Sequence, residues 1–143
     1  MRAFLVPYED ASVIAEKVKA FLSKLHPNSY FVLSERILTH SEIGKLCYTE
    51  LGNENEELFP DSVSSIIHEI KTRGYKTPIV VVEKGRRRIL IDGHKRALSA
   101  FVLGMPWNAY VIKTNAKKLA IEKSIIGTLE SIFRQSLKSR FVN

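Results

Sequence analysis

Apolar residues recur at helical spacing from Asp10 to Leu25, at Val13, Ile14, Val18, Phe21, Leu22 and Leu25. That spacing predicts a first helix with one buried stripe and Asp10 as its N-cap. Residues 2–6 suit a short strand that Pro7 stops, and His26-Pro27-Asn28-Ser29 has the composition of a turn. Tyr30–Leu33 is β-prone, whereas Ile37-Leu38 is too short to assign. Thr39 or Ser41 can cap a second helix with Ile43, Leu46, Cys47 and Leu51 on one face, closed by Gly52-Asn53. The acidic run to Glu57 reads as a solvated loop. Pro60-Asp61 opens a third helix, with Asp61 as cap, Val63, Ile66, Ile67 and Ile70 as its core stripe, and Gly74 just past its end.

The pattern then changes period. Ile79–Val82 is a β-branched run suited to a buried strand, Lys84-Gly85 a hairpin turn, and Arg88–Ile91 the returning strand. Asp92-Gly93-His94-Lys95-Arg96 follows as a short polar elbow. A helix burying Ala97, Leu98, Phe101 and Val102 comes next, closed by Gly104 and Pro106, and Trp107–Ile112 is a further strand. From Asn115 to about Arg140, inward positions at Leu119, Ile125, Ile126, Leu129, Ile132, Phe133 and Leu137 predict one long C-terminal helix. No internal repeat, low-complexity tract or linker interrupts the pattern. The expectation is one α/β (α+β) domain over 1–143, with a small mixed sheet flanked by helices. It divides into an N-terminal extension (1–29), a core (30–112) and a C-terminal helix (113–143).

Composition narrows this little. A chain of 143 residues is the size of one domain, and no apolar run approaches the ~20 residues of a membrane span. The N-terminus meets acidic residues too soon for a secretory signal, and the single cysteine, Cys47, fits a reducing cytoplasm. Cys47 reads as core packing rather than a nucleophile. The formal charge of +7 points to polyanionic partners, nucleic acid or nucleotide phosphates among them. His26, His40, His68 and His94 show no metal-ligand spacing, and no P-loop motif is present.

Candidate chemistry centres on the elbow. A helix opening directly from a strand points its first backbone N–H groups outward, where they and the helix dipole attract phosphate. Gly93 permits the tight turn, His94, Lys95 and Arg96 supply donors and charge, and Asp92 is a candidate metal ligand. The same residues also suit an ordinary capped helix with solvated charges. Arg86-Arg87-Arg88 on the hairpin and the cations of the last helix (Lys117, Lys118, Lys123, Arg134, Lys138, Arg140) read first as solvated faces, with phosphate or nucleic-acid contact as the alternative. The apolar stripe of the last helix is a candidate homodimer contact.

The order of elements from Tyr30 to Ile112, ending in IDGHKRALSAFVLGMPWNAYVI, resembles the ParB/sulfiredoxin-like fold family. Sulfiredoxins place a reactive cysteine after the elbow glycine, where this chain has His94. ParB proteins carry Gly-Glu-Arg-Arg, matched here at Gly93 and Arg96, and continue into a helix-turn-helix region for which this chain has only its last helix. The free serine kinases carry Asp-Gly-His-His-Arg, from which this chain departs only at Lys95. They also carry a catalytic glutamate in a context like Pro-His-Glu, similar to His40-Ser41-Glu42. This last resemblance implies a kinase phosphorylating a small hydroxyl compound, free L-serine, from ATP or ADP (CTP less so) with Mg2+. It implies Glu42 as catalytic base, Asp92 as a catalytic, metal-holding carboxylate, and Gly93, His94, Lys95 and Arg96 as the phosphate grip. The alternative is a ParB-like protein that binds nucleotide or DNA, or cuts DNA.

Overall fold

A computed structural model describes residues 5–49 and 61–141. The expected acidic loop to Glu57, residues 2–4 of the first strand, the Asp61 cap, and Lys138 and Arg140 lie outside the residues or side chains it describes.

Helix α1 (Tyr8–Leu25) leads to strand β1 (Phe31–Leu38), the short helix α2 (His40–Gly44) and strand β2 (Cys47–Thr49). Helix α3 (Asp61–Arg73) precedes the hairpin of β3 (Ile79–Lys84) and β4 (Arg87–Asp92). Helix α4 (His94–Leu103), strand β5 (Trp107–Thr114), a 3-10 turn (Ala120–Ser124), strand β6 (Ile125–Thr128) and helix α5 (Leu129–Phe141) complete the order. Among the described residues, six strands form one mixed sheet in the order β1-β5-β3-β4-β2-β6. β3 runs parallel to β5 and antiparallel to β4, which is parallel to β2. The fold class is therefore α+β, as the pattern predicts.

β3 occupies the middle of the sheet and is apolar on both faces, as a strand covered on both sides must be. Val80 and Val82 face the layer of α1, with Ala15, Leu22 and Ile112. Ile79 and Val81 face the opposite layer, with Ile43, Ile66, Leu98 and Leu129. α3 follows its predicted stripe: Val63, Ile66 and Ile70 are buried, and Gly74 takes a left-handed φ of 67° just past the helix end.

Four expectations need correction. α1 begins at Tyr8 behind Pro7 rather than at an Asp10 cap, and it packs through Ala11, Ala15 and Leu22, leaving Val13, Phe21 and Leu25 exposed. The small alanines let the helix sit close to the sheet, which turns the bulkier stripe sideways. The second helix ends at Gly44, and Cys47 lies on β2, beside Ile89 of β4. The long C-terminal helix is broken: only Leu129–Phe141 is α-helical, and Ile125–Thr128 pairs with β2 as an edge strand. Two β-branched isoleucines favour the strand. Gly127, at φ 150°, departs from helical geometry, and Thr128 and Ser131 exchange side-chain-to-backbone hydrogen bonds at the start of α5 (3.0 and 3.2 Å). In α4, Val102 is exposed rather than buried.

Candidate functional site

The elbow forms as the pattern predicts. β4 ends at Asp92, Gly93 turns the chain in a left-handed conformation (φ 89°, ψ 35°), and α4 begins at His94. As N-cap, Gly93 offers no side chain, and its carbonyl accepts the first helical bond from the Ala97 N–H at 2.8 Å. One turn on, the buried Arg96 folds back beneath it. Its Nη2 donates to the Pro78 carbonyl (3.1 Å) and to Asp92 Oδ2 (3.2 Å), tying the start of β3 to the end of β4. The indole N–H of Trp107 donates to the Thr77 carbonyl at 2.8 Å and holds the same approach to β3. The Asp92 side chain is 37% exposed against 6% for Arg96. Asp92 is thus the elbow's accessible carboxylate, and Arg96 is its internal brace.

His94 turns inward. Its ring stands edge-on to Tyr48 at 4.9 Å, and its Nε2 lies 2.9 Å from Thr49 Oγ1. The Thr49 hydroxyl spends its only hydrogen on the Leu90 carbonyl (2.7 Å), so it must accept from the imidazole. This fixes the tautomer with the proton on Nε2. Burial pushes the His94 pKa down to about 4, against a smaller opposing pull from Asp92. The ring is neutral at pH 7. The expected cationic grip of His94 and Arg96 on a phosphate is therefore corrected: both side chains serve the interior. Thr49, absent from the sequence-based site, is the residue that positions His94. Nothing in its local spacing marks it, because β2 is only three residues long.

This burial has a measurable consequence. A folded-state pKa below the unfolded value means that the unfolded chain binds the extra proton as pH falls. The stabilisation is complete above about pH 6.5 and is lost as pH falls towards 4, up to about 3 kcal/mol. Urea midpoints measured across that window should fall steeply for the native chain and less for His94→Gln. Equal slopes for the two proteins would contradict the buried neutral imidazole.

Glu42 is occupied elsewhere. With Thr39 it closes a capping box on α2: its Oε1 accepts the Thr39 N–H at 3.0 Å, and its own N–H donates to Thr39 Oγ1 at 3.1 Å. Its Oε2 meets Arg36 (3.1 Å) and Arg88 (3.3 Å), both of which also reach Glu83. Hydrogen bonding from the Thr39 backbone holds its carboxyl below the usual range, with the two guanidiniums adding to the effect against desolvation. Arg88 sits near the hairpin end of β4, four residues from Asp92, a span of about 13 Å. The structure thus brings Asp92, Gly93 and Arg96 together and ties Glu42 to a separate ion-pair cluster. Thr39-x-x-Glu42 is itself a capping-box signature, so this role was readable from the sequence.

Among the described residues, no group of three or more His, Cys, Asp or Glu side chains gathers as a metal site. No helix among them is long and apolar enough to cross a membrane. No family model matches the chain, and no solved structure matches it significantly. An uncharacterized protein of Methanocaldococcus jannaschii is 38% identical over 79 residues, 52% of this chain and 29% of that protein. The chain thus spans less than a third of the length of this relative.

Proposed function

We propose that the chain is a ParB/sulfiredoxin-like domain whose elbow binds nucleotide phosphates, and that it transfers a phosphoryl group to a small hydroxyl substrate in the cytoplasm. Free L-serine is the first candidate acceptor, and ATP or ADP the donor. The observation that carries this reading is the elbow geometry: a strand ending in an accessible carboxylate, a left-handed glycine as N-cap, and a ten-residue helix opening at that point. A helix start of this kind favours an anion, and Lys95 adds positive charge in the first turn. Phosphoryl transfer asks the protein mainly for positioning and for charge stabilisation.

Mg2+ fits this donor set, because it is usually held by one or two carboxylates together with substrate phosphates. Asp92 would be that carboxylate, and a bound ion would supply neutralising charge to the phosphate oxygens. Asp92 also faces the acceptor hydroxyl in this reading, and Arg96 fixes its orientation through Oδ2. Glu42, with both oxygens engaged, holds α2 against the sheet.

The test is incubation of the chain with serine, Mg2+ and ATP, ADP or CTP separately, reading O-phosphoserine by mass spectrometry alongside nucleotide turnover. Phosphoserine formed with ATP or ADP is the expected result. No product with any nucleotide, from protein shown by circular dichroism to be folded, overturns the reading. CTP turnover without phosphoserine would favour the ParB-like alternative.

A further inference from the structure

The end of the sheet opposite the elbow carries charge for which the elbow's chemistry has no use. β3 and β4 meet there in the Gly85-Arg86 turn, and Lys84 pairs with Arg87 on one side and with Thr114 on the other. The chain leaves β5 at this point and runs through Asn115–Lys118 to the 3-10 turn. Glu122 of that turn accepts from both Lys84 (2.6 Å) and Arg87 (2.7 Å), which anchors the turn against the hairpin. The register places Arg86, Arg87 and Lys113 at this end, the segment that continues from β5 adds Lys117, Lys118 and Lys123, and all six are exposed. Arg87 shares Glu122. Among the described residues, no carboxylate lies within ion-pair distance of the other five.

An aromatic residue lies at the same end of the sheet. The Tyr30 backbone N–H donates to Asn115 Oδ1 at 3.0 Å, which fixes Tyr30 next to the outgoing end of β5, and its side chain is half exposed. Unneutralised like charges repel one another, and a polyanion laid across them relieves that repulsion. A flat ring among backbone-binding cations is the composition of a surface for single strands, whose unpaired bases can stack on it. The patch is built from a turn, a strand end and a 3-10 turn, elements that do not enter a major groove as a helix does.

We propose that this hairpin end binds single-stranded nucleic acid without sequence preference, through phosphate contacts from Arg86, Lys113, Lys117, Lys118 and Lys123 and stacking on Tyr30. The site is separate from the elbow, so it stands or falls independently of the phosphotransfer reading.

Fluorescence anisotropy with a labelled oligothymidylate of about 20 nucleotides tests it. Five phosphate contacts predict a slope of log affinity on log salt near −3.5, at about −0.7 per contact to a single strand. Lys117→Glu with Lys118→Glu should weaken binding by at least about tenfold at low salt and flatten that slope. Tyr30→Ala should weaken binding by about tenfold with the slope unchanged. A control with the same change of charge, Lys71→Glu with Lys76→Glu, lies away from the patch on α3 and on the approach to β3, and should bind as the native chain does. The proposal is overturned if that control loses as much affinity, if a duplex of the same length binds more tightly, or if phosphatidylserine vesicles bind while the oligonucleotide does not. Absence of oligonucleotide binding at about 50 mM salt overturns it equally. Serine phosphorylation should be untouched by the Lys117 and Lys118 changes.

Discussion

Replacing Gly93 by valine should cost about 2–5 kcal/mol of stability and disable the elbow. The estimate has two parts. At φ 89° an L-residue with a side chain is strained by about 1–2 kcal/mol. A Cβ at this position would also stand 2.8 Å from Arg96 Nη2 and 2.8 Å from Ile79 Cγ2. Ile79 is fully buried in the centre of the sheet, and Arg96 is held by Pro78 and Asp92, so neither can withdraw cheaply. Overpacking of this kind costs about 1–3 kcal/mol. Against a typical domain stability of about 5–15 kcal/mol, the urea midpoint should drop sharply, with Gly93→Ala falling between valine and the native chain. An unchanged midpoint for Gly93→Val would mean that the chain does not turn here in this way.

Asp92→Asn should lower phosphotransfer by about 10²–10⁴-fold, the usual worth of a placed acid–base group, with a stability loss on the order of 1 kcal/mol because the buried Arg96 loses its counter-charge. Its carboxylate is more than a third exposed, and an asparagine oxygen can still accept from Arg96. Glu42→Gln should differ in turnover. Glutamine can still close the capping box, but the charge between Arg36 and Arg88 is lost, at a cost on the order of 1 kcal/mol for a partly exposed pair. Turnover should stay within a few-fold of native. Turnover measured on both variants separates the two roles, and thermal melts show that both remain folded. If Glu42→Gln loses turnover as Asp92→Asn is expected to, the hydroxyl-facing carboxylate is Glu42 and not Asp92.

Much of the fold was readable because its signals are local. α3, the β3–β4 hairpin, the elbow, α4 and β5 each carry their own marks: a helical stripe with a glycine beyond it, a β-branched run, a glycine at a strand end. The β-branched run of β3 predicted a buried strand. The elbow as a candidate site was legible for the same reason, since Asp92 and Arg96 are one helical turn apart and meet through local geometry alone.

What the sequence by itself determined is therefore the α+β class, the buried strand at Ile79–Val82 and the existence of a glycine elbow between a strand and a helix. Tertiary structure decided the rest. β2 and β6, three and four residues long, exist as strands because each finds a ladder partner far away in sequence, and such short segments carry no periodicity of their own. Likewise the stripe of α1 turned towards its alanines because closeness to the sheet outweighed side-chain bulk. At the elbow, Thr49 arrives from β2 and Pro78 from the approach to β3, and they draw His94 and Arg96 inward. Asp92 is left as the accessible acid, while Glu42 is claimed by Arg36 and Arg88. A residue's type and spacing state which bonds it can make. Which of those bonds it does make depends on the groups that packing delivers to it.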